Sequence, residues 1–175
     1  LVAGAGTPLA EVEATLAAEG QRLAFEPPDL RAVLGRKGVS TIGGVVAANA
    51  SGPRRLQAGA CRDALLGVKF VDGAGTVVKN GGRVMKNVTG YDLVKLMAGS
   101  HGTLGVLSEV SLKVLPAPEA AATLVVEIAE PARAVAALSA AMASPYDVTG
   151  AAHDGAQAMV RIEGFAASVA YRAER

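Results

Sequence analysis

Thr41-Ile42-Gly43-Gly44-Val45-Val46-Ala47-Ala48-Asn49-Ala50-Ser51-Gly52-Pro53 is the stretch on which the reading of this chain turns. Thr41 is placed to cap a helix, and two glycines leave the first turn without side chains. Val45 to Ala48 then continue an apolar helical segment into a polar glycine loop. Bare N–H groups at a helix start, together with the partial positive charge of that end, suit a phosphate or diphosphate held by backbone. The same residues also describe a small-residue helix packed tightly on a sheet, and the pattern alone does not choose between the two.

Upstream, Leu1 to Ala3 reads as a short strand, and Thr7-Pro8 reads as a cap residue followed by proline at the first helical position. Leu9, Val12, Leu16 and Ala17 recur at helical spacing until Gly20 stops the helix. Glu26-Pro27-Pro28-Asp29 must be extended or turned, because proline restricts itself and the residue before it. Leu30 to Leu34 fits a helical turn, and Gly35-Arg36-Lys37-Gly38 leads into the central stretch.

Downstream, Arg54, Arg55 and Arg62 lie in a loop expected to approach the phosphate site, where arginine forks suit a diphosphate; the alternative is a solvated loop. Leu66 to Val71 and Thr76 to Lys79 form a hairpin pattern around Asp72-Gly73-Ala74-Gly75. A helical run at Leu93, Leu96 and Met97 leads to a second glycine loop, Gly99-Ser100-His101-Gly102-Thr103-Leu104-Gly105. Val106 to Leu115 alternates as one long strand. Because that strand follows the loop instead of preceding it, the spacing argues against a nicotinamide-type dinucleotide turn.

Pro116-Ala117-Pro118 reads as a linker. Beyond it come a strand at Thr123 to Ile128, a helix at Pro131 to Ala143, and strands at Val148 to Ala152 and Ala158 to Ile162. This β-α-β-β order is the first part of a split ferredoxin-like unit.

Composition narrows the function classes. Of 175 residues 51% are hydrophobic, and Lys+Arg 17 against Asp+Glu 16 leaves no basic excess for nucleic acid. No apolar run approaches the roughly 20 residues of a membrane span, and no charged-then-apolar leader is present. One cysteine, Cys61, excludes an internal disulfide and fits a reducing cytoplasm. An opening without methionine and a close inside a helix-like pattern suggest a fragment of a longer protein.

Three stretches in order resemble the vanillyl-alcohol-oxidase, or PCMH, type of FAD-binding domain. They are Thr41-Ile42-Gly43-Gly44 with Asn49-Ala50-Ser51-Gly52, then Lys86-Asn87-Val88-Thr89-Gly90-Tyr91-Asp92-Leu93, then Gly99 to Glu109. Within that superfamily, Ser51-Gly52-Pro53-Arg54-Arg55 and Val84 to Asp92 look most like the FAD-binding E subunits of bacterial glycolate oxidases. The resemblance implies an α+β fold. Residues 1–116 would be the second subdomain, the C-terminal part, of a PCMH-type FAD-binding domain, and residues 117–175 the truncated start of a ferredoxin-like substrate or cap-like domain.

The same resemblance implies noncovalent FAD. Thr41, Ile42, Gly43, Gly44, Asn49, Ser51 and Gly52 would line the flavin and its diphosphate. Gly102, Thr103, Gly105 and Val106 would present backbone to the adenosine half, with Pro28 and Asp29 near the isoalloxazine. A first FAD-binding subdomain would precede Leu1, so the fragment alone is expected to be inactive, and its retention of FAD is open. The implied setting is a complex oxidising glycolate to glyoxylate. Its partners would be a second flavoprotein subunit, an iron–sulfur subunit and a small 2-hydroxy acid, in the cytoplasm or peripheral at the inner membrane through the complex.

Other positions carry less. His101 and His153 are the only histidines and fit no metal or base pattern, so no catalytic residue and no metal site is assigned. His101, where many relatives carry Glu, reads as a solvated loop residue. Neither Cys61 nor His153 falls on a flavin-attachment motif. Lys86 either contacts a phosphate or caps its loop, while Tyr91 and Asp92 read as a turn and helix cap. Two alternatives stay open: a flavin-free scaffold for subunit assembly, and an independent FAD-dependent D-2-hydroxy-acid dehydrogenase with a histidine metal cluster beyond Arg175.

Overall fold

The computed structural model describes residues 1–84 and 90–175. Two units divide between Ala117 and Pro118, Leu1–Ala117 and Pro118–Arg175.

The first unit runs β1 (Val2–Gly4), α1 (Leu9–Ala18), β2 (Gln21–Arg22), α2 (Arg31–Leu34), α3 (Ile42–Ala48), α4 (Arg55–Ala58), α5 (Cys61–Ala64), β3 (Leu65–Val71), β4 (Val77–Gly81), α6 (Leu93–Met97), β5 (Val106–Leu112) and β6 (Leu115–Pro116). Its main sheet has the order β1-β5-β3-β4, every pair antiparallel. The β3–β4 hairpin turns where Asp72 Oδ1 accepts from the N–H groups of Ala74 and Thr76 at 2.9 and 2.8 Å. Leu9, Val12 and Leu16 bury one stripe of α1, whereas Ala17 is exposed. Phe25, Ile42, Val46, Leu65, Met97, Val110 and Leu112 are fully buried in one core. Each large side chain there contributes about 1.5–3 kcal/mol of apolar burial.

Several element boundaries differ from the sequence reading, and at two of them the backbone contacts give the reason. Pro8 precedes the helix as its N-cap, at φ −56° and ψ 135°, because its backbone bridges to Thr41. The long strand stops at Leu112: the Lys113 N–H turns to donate to Ala64 O at 2.8 Å, and Leu115–Pro116 pairs with β2 instead.

The second unit runs β7 (Ala120–Glu127), α7 (Pro131–Met142), β8 (Val148–His153), β9 (Gln157–Gly164) and α8 (Ala166–Ala173). Pro131 stands at the first position of α7, where its missing N–H costs no helical bond. The sheet order β7-β9-β8, all antiparallel, is that of a split β-α-β-β unit. Ile162 and Val169 pack in its core, and Arg172 ties it together by donating to Tyr146 O at 2.9 Å and Glu163 O at 2.7 Å. Among the described residues no helix is long and apolar enough to cross a membrane.

Candidate functional site

The start of α3 is closed by the protein's own backbone. Thr41 Oγ1 accepts from the Gly44 N–H at 3.2 Å. Thr7 O accepts from the Ile42 N–H at 3.0 Å, and Ala5 O from the Gly43 N–H at 2.8 Å. The expectation of bare first-turn amides awaiting a phosphate is therefore corrected: each already has an acceptor. Gly43 is glycine for packing, since a Cβ there would stand 2.6 Å from Ala5 Cβ and 2.7 Å from Ala5 O. Ile42 sends its side chain wholly into the core.

At the other end of α3, Asn49 takes the left-handed C-cap position at φ 48°. Its Oδ1 accepts from the Arg62 N–H at 2.9 Å, and Ser51 Oγ accepts from the Cys61 N–H at 2.9 Å. The Gly52 N–H donates to Phe25 O at 2.8 Å, and a Cβ on Gly52 would lie 2.5 Å from Glu26 O. Asn49, Ser51 and Gly52 thus fasten neighbouring segments to the helix end. Arg62 is joined to this end of α3, and Arg54 to Glu26 by an N–H to Oε2 bond of 3.2 Å. A seven-residue helix is about 10 Å long, so this is the far end from Thr41. Bringing the arginine loop to the helix start is a second expectation the structure corrects.

The second glycine loop docks on α3. Gly99 and His101 donate their N–H groups to Val46 O and Ala47 O at 3.1 and 2.9 Å, in the last turn of the helix. Between this loop, the first turn of α3 and the chain after β1 lies a hollow of about 350 Å³. Of the expected site residues, Thr41, Gly43, Gly44, Gly102, Gly105 and Val106 line it; Ile42, Asn49, Ser51, Gly52 and Thr103 do not. Thr103 instead donates its hydroxyl to Ser100 O at 2.7 Å.

Gly44 and Gly102 give the hollow bare backbone walls. A Cβ on Gly102, at φ +76°, would meet nothing within 4 Å. Gly105 is different: its Cβ would lie 2.6 Å from Val71 O, so β3 requires that glycine. Sequence reasoning missed Ala5, Gly6, Ala47, Ser100 and Leu107, which complete the lining. The small run Gly4-Ala5-Gly6 is the visible signal for part of this wall. Ser100 Oγ is buried without a partner among the described residues, and nothing there accepts from the N–H groups of Gly6 or Gly102. Among the described residues no cationic side chain is in the lining.

A second hollow, about 260 Å³, also touches Gly44 and holds Pro28 and Asp29. Arg31 clasps Asp29 with Nε 2.9 Å from Oδ1 and Nη2 2.6 Å from Oδ2. That guanidinium and the Arg31 N–H hold the Asp29 carboxyl down at about 2.

The remaining candidates sort as follows. Lys86, with the rest of residues 85–89, lies outside the described residues. Asp92 caps α6, its Oδ1 accepting from the Lys95 N–H at 3.2 Å, and Tyr91 is exposed. His101 is exposed at φ 52°. His153 Nε2 sits 2.7 Å from Ile128 O. Cys61 is buried, and burial pushes its thiol up to about 12.

Residues 1–81 match the family described as FAD binding domain. The chain is 42% identical over 169 residues to the glycolate oxidase subunit GlcE of Escherichia coli (strain K12), covering 97% of this chain and 46% of that protein. It is 41% identical over 100 residues to the glycolate oxidase subunit GlcD of Bacillus subtilis (strain 168), covering 57% and 20%. Against a D-lactate dehydrogenase of Anaerostipes hadrus it is 43% identical over 109 residues, covering 62% and 22%. The chain thus spans less than half the length of these curated relatives. A solved structure of alkyldihydroxyacetonephosphate synthase superposes with a TM-score of 0.75 at 20% identity, covering 98% of this chain and 36% of that one, a likeness of fold alone.

Proposed function

We propose that this chain, whose residues 1–81 match the family described as FAD binding domain, is the FAD-binding part of a flavoprotein subunit in a glycolate-oxidising complex. The observation that carries the reading is the hollow between α3 and the second glycine loop, whose walls at Gly44 and Gly102 are bare backbone. Ala5, Ala47, Val106 and Leu107 offer apolar contact to a flat ring, while the Gly6 and Gly102 amides and the Ser100 hydroxyl stand as polar anchors. With no cation among the described residues of the lining, a phosphate here meets amides. A hollow of about 350 Å³ takes one part of FAD, which fits a site shared with another stretch of polypeptide.

When bound, the flavin supplies the redox chemistry, accepting a hydride equivalent from a 2-hydroxy acid. The chain orients it, covers one face and holds it noncovalently, since Cys61 is buried and His153 is engaged with Ile128 O. Likeness to the glycolate oxidase subunits supports glycolate as the acid and a second flavoprotein subunit as partner. An iron–sulfur subunit and a cytoplasmic setting, at the inner membrane through the complex, belong to the same proposal. The saturated start of α3 favours a second reading, in which the fold serves subunit assembly without flavin.

The chain titrated with FAD should quench flavin fluorescence saturably, and the longer parent protein should release FAD on denaturation. No quenching by the chain and no flavin in the parent would remove the first reading and leave the second.

A further inference from the structure

We propose that the hollow beside α2 binds a small carboxylate anion, with Arg36 as the group that takes the carboxylate. The site stands on its own geometry; only the identification of the acid as a 2-hydroxy acid rests on the flavoprotein reading.

Gly35 ends α2 in the left-handed conformation at φ 61°, and the Arg36 N–H returns to Arg31 O at 2.9 Å, which sets Arg36 at the rim of the hollow. Among the described residues no acid pairs with Arg36. Arg31 lines the same hollow, but its charge is cancelled by Asp29 through the fork already described. One uncompensated cation remains, with Ser40 also in the lining and Leu34, Val45 and Ala48 as its apolar part.

That combination selects its ligand class. A single guanidinium fork matches one carboxylate and one negative charge. A diphosphate brings at least two charges, and it would meet the ionised Asp29 with only one free cation to offset them. The volume of about 260 Å³ suits an acid of a few carbons, whose short aliphatic part rests on Val45 and Ala48. Gly44 lines both hollows, so an acid here lies next to whatever fills the first one.

The test titrates the whole chain with glycolate, D-lactate, neutral glycolamide and inorganic pyrophosphate, each followed by amide NMR shifts. The two acids should bind saturably with Kd roughly millimolar and move the signals of residues 34–45, while glycolamide should not bind. Arg36→Gln should weaken glycolate about tenfold; Arg133→Gln, on the exposed face of α7, should leave it unchanged. Glycolate binding unaltered in the Arg36 variant, no saturable binding by the wild-type chain, or pyrophosphate displacing glycolate at lower concentration would each overturn the site. A parallel FAD titration of the chain and of the longer parent protein separates the two readings: glycolate bound with no FAD taken up by either keeps the site and removes the flavin assignment, and FAD bound without glycolate does the reverse.

Discussion

Alanine at Gly43 and alanine at Gly44 separate packing from ligand contact within two adjacent residues. A Cβ at position 43 would stand 2.6 Å from Ala5 Cβ and 2.7 Å from Ala5 O, so the backbone beyond β1 must move. The same shift stretches the 2.8 Å bond from the Gly43 N–H to Ala5 O. Overpacking of this kind costs about 1–3 kcal/mol, and the weakened hydrogen bond about 1 kcal/mol. Alanine's better helix propensity returns about 1 kcal/mol, leaving a net loss of about 1–3 kcal/mol for Gly43→Ala. At position 44 the nearest atom is Thr41 Oγ1 at 3.3 Å, and the new methyl enters the hollow. There the propensity gain offsets the tight contact, and stability should stay within about 1 kcal/mol of wild type. Urea unfolding followed by far-UV circular dichroism should show a lowered midpoint for Gly43→Ala and little change for Gly44→Ala. Flavin-fluorescence titration should show FAD weakened about tenfold by Gly44→Ala although its fold is as stable as wild type. Wild-type stability in Gly43→Ala, or undiminished FAD affinity in Gly44→Ala, would refute the division of roles.

Three more outcomes follow from particular contacts. Burial raises the Cys61 thiol from 9.0 to about 12, so the fold favours the neutral form. The stability this contributes is complete below pH 9.0 and lost as pH climbs toward about 12. Cys61→Ala should flatten that loss when urea midpoints at neutral pH and at about pH 10.5 are compared with wild type. Arg172→Ala removes donors to Tyr146 O and Glu163 O and should cost the Pro118–Arg175 unit about 2 kcal/mol. Tyrosine fluorescence reports it, because Tyr146 and Tyr171 both lie in that unit. Asp29→Asn releases Arg31 from its clasp and should tighten glycolate binding about threefold in the NMR titration, an effect that added salt should erase.

Local chemistry made several elements legible before any coordinates. Thr41 caps α3, Pro131 opens α7, Asp72 organises the β3–β4 turn and Asp92 caps α6, each through atoms within four residues of one another. The apolar spacing of Leu9, Val12 and Leu16 likewise marks the buried stripe of α1 without reference to its partner. Long motifs carried the family likeness for the same reason, since they hold glycines and polar residues at fixed separations along the chain.

What the sequence by itself determined was the principal helices, strands and turns, the α+β class and the likeness of the paired glycine motifs to a flavin-binding family; it read the short helices α4 and α5 as one loop. Only the tertiary structure decided which of those glycines face open space. Gly43 meets Ala5, Gly52 meets Glu26 and Gly105 meets Val71, whereas Gly44 and Gly102 border a hollow. It also decided that the α3 amides are spoken for, that the arginine loop joins the far helix end, and that, among the described residues, Arg36 has no acid partner beside a neutralised Arg31. The reason is physical: an amide's acceptor or a Cβ's nearest neighbour is set by chain segments distant in sequence, and spacing along one segment holds no record of what the fold brings against it.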